Sequence, residues 1–147
     1  MQPDALVSSA NCYALIEAKR LKSSVFQPEQ LAREYVAVTR DAGPRTPLLL
    51  LLLGSPPPVR VRGHERLDIA EAVALHIESV LDRTEHHGLS LTSLQQQLPE
   101  TCAWITWHEL AHVVADQQAR YATDDPSVAG SIRRLATSIT RAISWHA

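Results

Sequence analysis

The chain has 147 residues, 45% of them apolar and 20% charged, enough to bury a real core within one domain. A net charge of −2 excludes a global basic field, and 5% aromatic content argues against a stacking platform for single-stranded nucleic acid. Nucleic-acid contact would have to use a local patch: Lys19, Arg20 and Lys22, then Arg60, Arg62 and Arg66, then Arg133 and Arg134.

Ala5 to Ser9 and Cys12 to Arg20 read as the two strands of a hairpin turning at Ala10-Asn11. Pairing through that turn sets Asp4 directly opposite Glu17. The two-residue period of a strand puts Glu17 and Lys19 on one face. Two carboxylates and an ammonium therefore converge, and like charges that close are unfavourable unless a cation sits between them. The trio predicts a divalent-metal site.

Leu21 to Phe26 reads as a loop centred on Ser23-Ser24. Pro28 at a first helical position and Glu29 in the first turn open a helix over Gln27 to Thr39. Its stripe is Leu31, Tyr35 and Val38, widened by Ala32 and Val36, and Gly43-Pro44 stops it. Pro47 to Leu53 is a continuous apolar run bounded by Pro and Gly, the pattern of a strand covered on both faces. Gly54 to Pro58 is a stiff loop, with a short strand at Val59 to Val61. Leu67 to Leu81 carries the helical stripe Ile69, Val73, Ile77 and Val80. A short helix from Leu91 to Leu98 ends before Pro99, and Ala103 to Thr106 is a strand. A helix runs from Trp107 to about Tyr121. The last helix has Asp125 as N-cap, Pro126 at its first position, and the stripe Val128, Ile132, Leu135, Ile139 and Ile143.

No basic region followed by an apolar stretch stands at the N-terminus, so a signal peptide is not expected. The six-leucine run Leu48 to Leu53 is far shorter than the roughly 20 residues a bilayer span needs. Cys12 and Cys102 lie in different predicted strands without a C-x-x-C pair, which fits a reducing compartment. The expectation is a cytoplasmic protein without membrane contact.

Taken together, Pro3-Asp4, the apolar approach Ala14-Leu15-Ile16 into Glu17-Ala18-Lys19, the helix Gln27 to Thr39 and the Leu-rich strand resemble the PD-(D/E)XK nuclease superfamily, the restriction-endonuclease-like fold. The resemblance covers roughly residues 3 to 61. It implies an α/β domain with a central mixed sheet flanked by helices, here followed by a mainly helical remainder with one late strand. It also implies hydrolysis of nucleic-acid phosphodiester bonds, with DNA the favoured substrate, and a homodimer as a common arrangement. Asp4 and Glu17 would hold Mg2+ or Mn2+, Lys19 would serve the attacking water or the transition state, and Arg20 and Lys22 would contact the nucleic acid. Gln30 resembles the helix glutamine of the family's recombination-associated branch. Its spacing to Tyr35 is one residue longer than that branch uses, and Tyr35 falls on the apolar stripe, which makes it a core residue with its hydroxyl at the edge. The family core usually begins with a helix and a strand before Pro-Asp, the helix often supplying another acid. Only Met1-Gln2 precede Pro3, so the expectation is a truncated reading frame, an N-terminally trimmed chain or a variant whose missing strand comes from elsewhere, and a catalytically silent interaction protein is one alternative.

His108-Glu109-Leu110-Ala111-His112 matches H-E-x-x-H and gives a second alternative. On a helix the two histidines share a face and can bind Zn2+ with Glu109 as general base of a peptidase, Asp116 extending the stripe. No glutamate follows Glu109, and Ala115 and Gln118 stand where the longer pattern has Gly and His. The third ligand would have to be Asp116, Asp124, Asp125 or His146. The remaining histidines are read as surface residues.

Overall fold

Ser9 folds the start of the chain back on itself. Its hydroxyl accepts from the Cys12 N–H at 3.0 Å, and its own N–H reaches the Cys12 carbonyl at 2.9 Å. That turn joins β1 (Ala5–Ser8) to β2 (Cys12–Ala18) as an antiparallel pair, with Ala5 opposite Ile16. The computed structural model describes residues 3–19, 25–84 and 88–146; the predicted contacts Arg20 and Lys22, with His86 and His87, lie outside them.

Helix α1 (Pro28–Asp41) starts at its proline and buries Leu31, Ala32, Tyr35, Val36 and Val38. It ends where Gly43 adopts φ +60°, a left-handed conformation that glycine takes without a Cβ clash. The chain returns as β3 (Thr46–Leu53), parallel to β2, with Leu15 beside Leu49 and Glu17 beside Leu51. A small ribbon of β4 (Val59–Arg60) and β5 (Arg66–Leu67) follows, and Phe26 bridges to Val61 beside it. Helices α2 (Ile69–Ala74), α3 (Ile77–Thr84) and α4 (Leu91–Thr101) lead into β6 (Cys102–Thr106), parallel to β3. Helices α5 (Trp107–Arg120) and α6 (Pro126–His146) complete the described chain.

The result is an α/β architecture: a mixed four-stranded sheet in the order β1-β2-β3-β6, flanked by helices, with a helical C-terminal half. Leu15, Leu49, Leu51 and Leu53 on one sheet face form a single core with Leu31, Tyr35, Val38, Val73, Ile77 and Leu94 from α1 to α4. No helix among the described residues is long and apolar enough to cross a membrane.

Three expectations need correction. The stripe Ile69, Val73, Ile77 and Val80 is fully buried, but turn residues at Leu75-His76 divide it into two helices. The capping box of Asp68 and Glu71 begins the first of them. Helix α4 runs through Pro99 to Thr101. Proline removes one N–H, and the Gln95 carbonyl it would have served is on an exposed residue, where water can replace it. The leucine strand is not sealed on both sides: Leu49, Leu51 and Leu53 are buried, whereas Leu48, Leu50 and Leu52 are only half-buried because α1 and α4 share the other face. The α6 stripe, for which the sequence predicts a helix and nothing about its cover, is largely open. Ile143 is buried, but Val128, Leu135 and Ile139 are exposed, since α6 packs chiefly on α5.

Candidate active site

The parallel strands β2, β3 and β6 all end at one edge of the sheet, and α1 begins there, so polar side chains from distant segments meet. This is where open α/β sheets place their ligands. Glu17 is the second-last residue of β2 and lies on the core face, with 4% of its surface exposed. A carboxylate that buried has to be partnered. Lys19 supplies a Nζ–Oε1 ion pair at 2.5 Å, and Gln30 of α1 donates to the same oxygen at 3.0 Å.

Asp4 stands one residue before β1, in line with Glu17 across the hairpin register. Its Oδ2 accepts from the Ala18 N–H at 2.7 Å, tying the strand ends together. The ammonium of Lys19 lies 5.5 Å from the centre of the buried Phe26 ring, a cation–π contact on its less polar side. The Lys19 backbone is held at both ends: its N–H donates to the Leu52 carbonyl, and its carbonyl accepts from the Trp107 indole at 2.9 Å.

Glu34 completes the cluster. It is 5% exposed, one helical turn beyond Gln30, whose Nε2 donates to its Oε1 at 2.9 Å. The other oxygen, Oε2, is buried without a hydrogen-bond partner among the described residues. Burial pushes the Glu34 carboxyl up to about 7; the Gln30 bond works against that rise, while the negative charges of Glu17 and Asp4 add to it. Its place was readable: Glu34 is three residues after Leu31 and four before Val38, so a carboxylate occupies the apolar stripe itself. Phe26 and Trp107 had no comparable signal, because each reaches Lys19 through the tertiary fold.

The structure therefore brings together Asp4, Glu17, Lys19 and Gln30. Tyr35 is separate from them: fully buried, it donates from its hydroxyl to the Leu94 carbonyl at 2.5 Å. Burial is the leading cause of the rise of its phenol to about 12. It is a core residue pinning α1 to α4.

The three carboxylates of Asp4, Glu17 and Glu34 offer only oxygen ligands and outweigh the single ammonium of Lys19 in charge, which matches a hard divalent cation in kind. Among the described residues, Glu34 Oε2 is the buried oxygen of this set without a hydrogen-bond partner. As the side chains lie, Asp4 is committed to a backbone N–H and Lys19 covers Glu17, and among the described residues no three such donors already stand at ligand spacing. Moving the flexible Lys19 side chain off Glu17 would leave that oxygen with the Gln30 bond alone.

The H-E-x-x-H residues lie on α5, where the two histidines share a face. The Nε2 atoms of His108 and His112 lie 3.1 Å apart on an exposed face of α5. Glu109 turns the other way, accepting from the Thr106 N–H at 2.9 Å and the Thr106 hydroxyl at 2.7 Å in a capping box. Those bonds lower its carboxyl below the usual range. Asp116 does not join the two histidines in a group of three donors. Cys12 and Cys102 are free and half-buried. Compared with protein-family models, curated proteins and solved structures, the chain matches none.

Proposed function

We propose that this chain is a metal-dependent nuclease of the PD-(D/E)XK type, with a restriction-endonuclease-like core and DNA as its substrate class. The observation that carries the reading is the convergence of Asp4, Glu17, Lys19 and Gln30 at the carboxyl edge of the sheet, from strands and a helix in the order the motif requires.

Asp4 and Glu17 would hold Mg2+ or Mn2+ through carboxylate oxygens. When bound, the cation supplies a more acidic water and neutralises charge on the scissile phosphate. Lys19 then offers its ammonium to the attacking water or the developing phosphorane charge, acting as a mobile point charge on a flexible stem. Gln30 keeps the Glu17 carboxylate oriented through its amide while Lys19 moves. The Trp107 indole holds the Lys19 backbone, so that motion is confined to the side chain.

The test is cleavage of plasmid and single-stranded DNA with Mg2+ or Mn2+, wild type against Lys19→Ala. The expected result is metal-dependent cutting that falls by about a hundredfold or more in the variant. Cutting that survives unchanged in Lys19→Ala, or proceeds equally in chelator, refutes the assignment.

A further inference from the structure

We propose that Glu34 is a third carboxylate donor to the cation held by Asp4 and Glu17, with Gln30 the positioning residue that keeps it within reach; this rests on the nuclease reading above. A carboxylate that is 5% exposed would ordinarily be matched by an arginine, a lysine or several N–H donors. Glu34 has one amide bond on Oε1 and nothing on Oε2 among the described residues. Sequence gives no packing reason for it either, because its neighbours on the stripe, Leu31, Tyr35 and Val38, are apolar and buried.

The geometry ties it to the site. One nitrogen, Gln30 Nε2, donates both to Glu17 Oε1 at 3.0 Å and to Glu34 Oε1 at 2.9 Å. The two oxygens are therefore at most about 6 Å apart. Ligands of one octahedral cation with bonds near 2.1 Å sit roughly 3 Å apart, a gap that rotation of two glutamate side chains closes. Glu34 comes from α1, downstream of the motif strand. The chain thus carries its own helix-borne acid at the site, within the described residues.

Metal binding tests this apart from catalysis. Mn2+ titrated into chelator-stripped protein, followed calorimetrically, is expected to bind wild type, to fail with Glu17→Gln, and to bind Glu34→Gln about tenfold or more weakly. The metal-free melting temperature of Glu34→Gln is expected to equal or exceed that of wild type, which a merely structural glutamate would not allow. Glu34→Met, apolar and of matched length, carries the same test should the glutamine variant not fold. Binding lost in Glu17→Gln but intact in the Glu34 variants overturns this inference and leaves the nuclease reading standing. A wild-type protein that takes up no Mn2+ overturns both.

Discussion

Replacing Glu34 by glutamine in metal-free protein is expected to stabilise the fold, and by an amount that depends on pH. In the folded state burial raises the Glu34 carboxyl from 4.5 to about 7. Between those values the native state holds a proton that the unfolded state has released, so stability falls as pH rises through the window and levels off above it. The shift corresponds to about 3 kcal/mol lost by pH 8, with no discount for screening because the side chain is 5% exposed. Glutamine keeps the acceptor for Gln30 and the side-chain length while removing the ionisation. Glu34→Gln should therefore exceed wild type by about 3 kcal/mol near pH 8, or about 9 °C in Tm for a chain of this size. Near pH 4.5 the gap should shrink below about 0.5 kcal/mol. Urea denaturation in chelator at the two pH values measures both numbers. A variant less stable than wild type at pH 8, or a gap independent of pH, refutes the electrostatic account of the site.

Two further outcomes follow from the packing. Tyr35→Phe deletes the buried bond to the Leu94 carbonyl and should cost about 1–2 kcal/mol in denaturant unfolding, without the selective loss of cleavage expected of Lys19→Ala; a selective loss would return Tyr35 to the site. On α6, Ile143→Ala should cost about 2–4 kcal/mol, whereas Leu135→Lys should stay within about 0.5 kcal/mol. Equal costs in the same assay would mean that the Leu135 face is covered.

The hairpin, its register and the start of α1 were legible because they depend on local rules: a four-residue turn, a two-residue strand period and a proline that starts a helix; Gln30 was singled out only by the family resemblance. The same rules placed Asp125 at the start of α6, where its Oδ1 accepts from the Ser127 N–H at 2.8 Å. Periodicity failed where tertiary packing decides. It identified apolar stripes at Leu67 to Leu81 and along α6, but a stripe does not say whether the helix breaks or whether anything covers it. The leucine run misled for the same reason, since continuous hydrophobicity does not distinguish a sealed sheet from one packed on a single face. The H-E-x-x-H string met its pattern, yet Glu109 was claimed by the cap of its own helix. Phe26 and Trp107 reach Lys19 from positions no spacing rule connects.

The Trp107 bond also bears on the order in which the candidate site assembles. Lys19 is fastened by Leu52 and by an indole 88 positions further along the chain. Contacts of such sequence separation close late, because their loop entropy is spent before they contribute. During synthesis the residues of the opening hairpin emerge long before those of β6 and α5. A chain lacking Trp107 could pair its first strands but would leave the Lys19 carbonyl without its indole donor. Assembly of the site is thereby coupled to completion of the sheet.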